Sequence, residues 1–209
     1  MRSGEPLRKS AFRALVAVVA ATITRPGTVR RARRGSARTS SAAAVPAVDP
    51  TKPRRIRRAL IEPLARSEAG RWWLINVSPR LDGAIFRLSG GRFTSIPTQL
   101  LVLTHTGARS GQKRENLLTY FTDGEDLVVM ASNYGRERHP AWYYNVKANP
   151  EVGVWAAGRR GRFRAQLTDG QDRERLWGLA KQLSRVYADY EERAAMRAIQ
   201  VVRLKPVTG

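Results

Sequence analysis

Two short stretches combine residue types that can do chemistry. The first is Thr104-His-Thr-Gly-Ala-Arg-Ser-Gly-Gln-Lys-Arg114, which sets Gly107 and Gly111 among Arg109, Lys113 and Arg114. Glycine lets a backbone turn tightly and bring N–H groups against an oxyanion. Arginine adds a planar fork of donors matched to phosphate oxygens. By spacing alone the stretch reads equally as a polar hairpin turn with solvated charges. It is neither a GxxxxGK[ST] loop nor a GxGxxG turn. The second stretch is Ala131-Ser-Asn-Tyr-Gly-Arg-Glu-Arg-His-Pro-Ala-Trp-Tyr-Tyr-Asn145, a glycine-bearing loop entering a helix near His139-Pro140. Its loop amides can meet an anion or a polar ring edge. Trp142 and Tyr143 offer walls for a flat heterocycle, or alternatively anchor the core.

Composition removes other chemistries. The chain has no cysteine, which excludes disulfides, thiolate metal sites and cysteine nucleophiles. His105 and His139 are its two histidines, so a histidine-rich metal centre is not expected. The net charge is +21, and residues 1–58 carry 15 basic against two acidic side chains. Most of the excess therefore sits on the least foldable third. That tail lacks aromatic interleaving, which argues against a nucleic-acid grip, while the remaining excess suits an anionic ligand.

The elements that must position these stretches follow from apolar spacing. Residues 1–52 read as a basic, disordered extension, with Thr24 to Pro50 rich in Arg, Ser, Ala and Pro. Within it, the apolar run Ala14–Ile23 is too short to span a bilayer. A surface-lying helix, a signal-like segment and a start-site extension all stay open for it. Residues 53–96 form a helical approach, in which Arg54 to Glu68 has apolar positions at helical spacing on a basic background. That helix packs on the domain or lies on anionic lipid, and Trp72-Trp73 and Ala84–Leu88 begin a second helical or looped stretch. From residue 97 to 209 the pattern becomes strands: Gln99–Thr104, Asn116–Phe121, Leu127–Ala131, Val152–Ala156, Arg160–Leu167 and Ile199–Leu204. Asp123-Gly124 and Ala157-Gly158 mark hairpins. Helices are expected over His139–Ala148 and from Gln171 to about Arg185, the latter capped by Asp169, with a further turn or two in Glu192–Ile199. Short hairpin strands with few helices indicate a mainly β, α+β antiparallel barrel.

The order T-x-T-G-x-[RK]-S-G-Q-x-R, A-S-N-Y-G, H-P-A-W-Y-x-N-x-x-A-N-P resembles the deazaflavin-dependent nitroreductase family. The match covers Thr104–Arg114, Ala131–Gly135 and His139–Pro150, with a weaker extension through Tyr187-Ala-Asp-Tyr190 and Ile199–Pro206. The resemblance implies a split β-barrel like those of flavin-mononucleotide-binding oxidases, and a coenzyme, F420, that carries a phosphate and an oligoglutamate tail on a deazaflavin ring. It implies that Arg109, Ser110, Gly111, Gln112 and Arg114 hold the phosphate and tail. Asn116, Leu118, Ala131, Ser132, Asn133, Ala141 and Trp142 would line the ring. Ser132, Tyr187 and Tyr190 would stand near the reacting acceptor as the catalytic hydroxyls, although the tyrosines read equally as packing. Two positions depart from the family: Ala108-Arg109 replaces a frequent basic pair, and Asn133 stands where many relatives have lysine.

The expected activity is hydride transfer from reduced coenzyme F420 to an electron-poor small molecule such as a nitroaromatic, quinone or enone. No metal is expected. An ordinary flavin cofactor, or a carrier that binds the coenzyme without turnover, are the alternatives. The expected setting is cytoplasmic, with peripheral membrane contact through the basic N-terminal segment.

Overall fold

Alternating apolar positions build six strands: β1 (Leu100–Thr106), β2 (Lys113–Asp123), β3 (Asp126–Met130), β4 (Glu151–Ala156), β5 (Arg159–Leu167) and β6 (Val201–Pro206). They pair antiparallel in the order β1-β2-β3-β6-β5-β4 and close, β1 against β4, into a barrel. Each expected strand is present, and the barrel is the expected α+β architecture. This computed structural model describes residues 45–52, 67–91, 99–194 and 197–207. The run Ala14–Ile23, and the helix expected over Arg54 to Glu68 except its last two residues, lie outside them.

Directly opposed residues of an antiparallel pair face the same side. The pairs Leu103↔Val154, Val152↔Phe163 and Leu127↔Leu204 therefore define the barrel interior, and all six of these side chains are buried. On the outer face of β5, Arg160, Arg162 and Arg164 alternate with inward residues and are exposed, as their spacing suggests. Both hairpins have two-residue turns. Gly124 takes φ 64 in one, and Ala157 (φ 48) and Gly158 (φ 79) share the other.

Helices α1 (Glu68–Asn76) and α2 (Ser78–Leu88) precede the barrel. Ser67 caps α1 by accepting from Gly70 N at 3.1 Å. At the end of α2, Gly91 (φ 81) donates to Phe86 O at 2.7 Å, and the Phe86 ring meets Trp155 of β4 edge-on at 5.0 Å. Helix α3 (Ala141–Ala148) joins the loop after β3 to β4, and helices α4 (Gly170–Leu183) and α5 (Val186–Ala194) join β5 to β6. Asp169 occupies the N-cap position of α4, but its side chain makes no capping bond. Helix α5 begins six residues before the turn expected at Glu192, because Tyr187, Tyr190 and Ala194 bury one stripe of it. Strand β6 starts at Val201; Ile199 is buried ahead of the ladder.

One stretch corrects its composition. Residues 45–52, assigned above to a disordered extension, dock on β2. Val48 N donates to Thr122 Oγ1 at 2.9 Å, Thr122 N donates to Val48 O at 3.0 Å, and the Tyr120 hydroxyl reaches Pro46 O at 3.2 Å. Val48 is buried in the same core cluster as the barrel. A single apolar residue between prolines carries too little periodicity for a sequence to announce this. Among the described residues, no helix is long and apolar enough to cross a membrane.

One network of charges ties β6 and the β2–β3 hairpin to α4. Arg203 of β6 donates to both oxygens of Asp172, at 2.9 and 2.8 Å, and to Asp126 at 3.0 Å, while Arg175 forks onto Asp123 at 3.0 and 2.7 Å. The Arg203 bonds hold the Asp172 carboxyl down to about 2, and Arg175 adds to the effect. A carboxylate held low stabilises the fold above its ordinary value of 3.8 and loses that contribution as pH falls through about 2. Asp172→Asn is therefore expected to flatten the acid limb of stability, read as urea midpoints between about pH 4 and pH 2. An unchanged slope would remove Asp172 from the acid response.

Candidate functional site

Strand β2 presents Arg114, Asn116 and Leu118 on one face, about 7 Å apart. Their register partners are His105, Leu103 and Leu101, so this face is the barrel interior near its mouth. Arg114 is exposed at the rim, and Asn116 and Leu118 are half-buried further in. The row thus passes from cation to amide to hydrocarbon.

The loop between β1 and β2 folds back beside Arg114. Gly107 N donates to Gln112 O at 2.8 Å, and Gly111 N donates to Gly107 O at 2.9 Å. A Cβ at Gly107 would lie 2.6 Å from Ser110 Oγ and 3.3 Å from Arg114 Nε, so an alanine there would displace both side chains. Gly111 adopts φ 65. Arg109, Ser110, Gly111, Gln112 and Arg114 are all exposed around this turn, so the expected anion-binding residues come together.

What fixes the turn is a buried polar chain that the motifs did not announce. His105 is 1% exposed. Asn145 of α3 donates through Nδ2 to His105 Nδ1 at 3.3 Å, which leaves the ring proton on Nε2, facing Asn116 Oδ1 at 2.8 Å. The same Asn145 accepts from Ala108 N at 2.9 Å, and Asn149 Nδ2 donates to Thr106 O at 3.4 Å. One imidazole therefore links the loop, the helix and the inward row of β2. The signal was present in His105 of T-H-T-G and in the two asparagines before Pro150, but only their packing shows the connection.

The second half of the site follows β3. Past the end of β3 at Met130, Ala131 N still donates to Gln200 O at 2.9 Å. The backbone then turns left-handed at three successive residues, Asn133 (φ 48), Tyr134 (φ 58) and Gly135 (φ 75). For a residue with a Cβ this region costs about 1–2 kcal/mol. The turn is held from within by Asn133 Nδ2, which donates to Arg138 O at 2.8 Å. Gly135 is pressed on α5, where a Cβ would sit 2.9 Å from Tyr190 O. Arg197 clamps it from outside, donating to Ser132 O at 2.9 Å, Arg136 O at 2.9 Å, Ala131 O at 3.3 Å and His139 Nδ1 at 2.8 Å. Sequence reasoning passed over Arg197, which sits among basic residues at no motif position.

The remaining expected residues divide by exposure. Ser132 and Asn133 are half-buried and Ala141 is exposed, whereas Ala131 is sealed and Trp142 is 3% exposed. Those two belong to the buried core cluster. Tyr187 and Tyr190, 8% and 9% exposed, continue a series of edge-on rings from Trp177 to Tyr134. Burial raises the Tyr190 phenol well above its ordinary range, making it a poorer acid. Both tyrosines are thus buried, Tyr190 edge-on against Tyr134 of the left-handed turn. A separate cavity of about 290 Å3, lined by Thr104, Lys113, Gly153 and Arg162 among others, opens on the outer sheet face, away from the row on β2.

Comparison with known proteins matches residues 80–206 to the family described as F420H(2)-dependent quinone reductase. An F420H(2)-dependent quinone reductase of Mycobacterium tuberculosis (strain ATCC 25618 / H37Rv) is 36% identical over 132 residues, covering 60% of this chain and 87% of the relative. A solved F420-H2 dependent reductase is 34% identical, with a TM-score of 0.47 over 51% of this chain and 93% of that one. A second solved chain, described as a domain-swapped dimer, is 31% identical, with a TM-score of 0.50 over 59% and 94%.

The clamp has a consequence for pH. Burial, aided by the charge of Arg197, lowers the His139 imidazole below its ordinary 6.5. A base held low is neutral in the fold, so its contribution is present above 6.5 and is lost as pH falls through the lowered value. Stability is expected to decline on the acid side of 6.5, and His139→Gln, which keeps an acceptor for Arg197, should remove that part of the decline. Thermal melts of both proteins across the range test this; parallel curves would sink it.

Proposed function

Because the chain belongs to the F420H(2)-dependent quinone reductase family, we infer that it oxidises reduced coenzyme F420 and reduces a quinone-type acceptor. The observation that carries the site assignment is the row Arg114, Asn116, Leu118 on one inward face of β2, beside a loop that exposes Arg109 and the backbone at Gly111. Its polarity gradient matches a cofactor with an anionic tail and a flat ring. The bound coenzyme would supply a hydride to the acceptor, and the protein supplies position and polarity.

Arg109 and Arg114 would hold the phosphate and tail, with Ser110 and Gln112 adding hydroxyl and side-chain donors, while Gly111, whose own N–H is bonded to Gly107 O, would let the turn close around them. Asn116 has its oxygen committed to His105, which leaves its amide N–H groups to face a ring carbonyl. Leu118 would support the ring face, and Ser132 and Asn133 its edge, with Ala141 at the start of α3. Ser132 is the hydroxyl available to stabilise negative charge on the acceptor oxygen. Tyr187 and Tyr190 would act through the turn they support. The half-buried residues around the ring would limit the water that reaches the transfer.

Purified protein mixed with reduced coenzyme F420 and menadione is expected to re-oxidise the coenzyme, seen as the return of its visible absorbance. No oxidation with any member of a quinone, nitroaromatic and enone panel would overturn the reductase reading. Arg114→Ala is expected to weaken coenzyme binding about tenfold or more, as loss of a charge-assisted contact does, with little change in melting temperature. Gly107→Ala should do the same by displacing Ser110 and Arg114. Wild-type affinity in both variants would remove the loop from the site.

A further inference from the structure

We propose that Arg197 is a positioning residue for coenzyme binding, acting through the left-handed turn at residues 133–135; this rests on the function proposed above. The turn directly follows Ser132, the residue assigned to the ring edge; asparagine enters the left-handed region readily as a single residue, but Tyr134 holds it at the next position, where a bulky side chain disfavours it. Something must over-determine it. The bonds from within the turn, Gly135 N to Ser132 O at 3.0 Å and Arg136 N to Asn133 O at 3.1 Å, close the chain on itself but do not fix it to the barrel.

Arg197 makes that connection. Its planar fork spans carbonyls on both sides of the turn, Ser132 O before it and Arg136 O after it, so the two ends are held at a set separation. A further bond to Ala131 O continues the hold to the end of β3, and the bond to His139 Nδ1 extends it to the entry of α3. One guanidinium thus spans the whole approach from the strand to the helix that back the proposed ring. It touches carbonyls rather than the ring face, so its effect reaches the cofactor only through where Ser132 and Asn133 stand. A lysine in its place would keep the charge but offer a point donor, unable to bridge these acceptors at once.

The test compares Arg197→Lys and Arg197→Gln with wild type by fluorescence titration of coenzyme F420, by hydrogen exchange over residues 131–139, and by turnover with menadione. Both variants are expected to exchange faster in that segment and to bind the coenzyme at least tenfold more weakly, with the lysine variant failing to restore affinity. Asp172→Asn, destabilised at the distant charge network, serves as the control and is expected to keep wild-type affinity. Should Arg197→Gln not fold, the lysine variant alone decides. Folded variants with wild-type coenzyme affinity would overturn the positioning role while leaving the reductase reading intact. Wild-type protein that fails to bind the coenzyme would overturn the cofactor assignment, and this inference with it.

Discussion

An imidazole sealed inside a barrel mouth must satisfy both of its nitrogens, and the candidate site is organised around that requirement. Leaving one buried polar group unpaired costs about 1–3 kcal/mol. His105 avoids the cost with Asn116 on one side and Asn145 on the other. Each partner is thereby fixed in orientation: Asn116 commits its oxygen to the imidazole, and Asn145 keeps its oxygen for the amide of Ala108. The exposed loop gains a defined shape from a contact that never reaches solvent. A flexible cationic turn would attract an anion, but it would lose affinity to the entropy of ordering.

Most of the barrel was legible because strand periodicity and turn residues agree along residues 99–206. Leu100–Thr106 and Leu127–Met130 are apolar runs, Gly124 and Gly158 sit at their turns, and the inward and outward faces of β5 separate arginine from phenylalanine. The loop residues of the site were legible for the same local reason, since glycine and arginine at short spacing need no distant partner to suggest a phosphate. What escaped notice was long-range. Val48 meets Thr122, Asn145 meets His105, and Arg197 meets Ser132 across dozens of residues, and none of these pairs has a periodicity. The tyrosines of α5 read in the sequence as either reacting hydroxyls or packing, and the fold buries both beside the left-handed turn.

The two halves of the cleft are built on different principles. The anion loop is shaped by small residues and hydrogen bonds to a buried network, so it is nearly free of strain apart from the glycines that permit its turns. The segment after β3 holds two residues in a disfavoured region and depends on outside support to stay there. Strain kept in place by a network is typical of segments that must present groups in one orientation. It also means that this half is the more sensitive to substitutions far along the chain, as far as Tyr190 and Arg197.

The closure of the barrel has a mechanical side. Strands β1 and β4 are joined by only the pairs Val102↔Trp155, Leu103↔Val154 and Thr104↔Gly153, the shortest ladder in the sheet. Two helices lie against the strands of that seam, each touching one of them. Outside, Phe86 of α2 braces Trp155, and at the mouth Asn145 of α3 grips His105. The strand that begins the site and the strand that completes the cylinder are thus each held from outside the sheet, in addition to their short shared ladder.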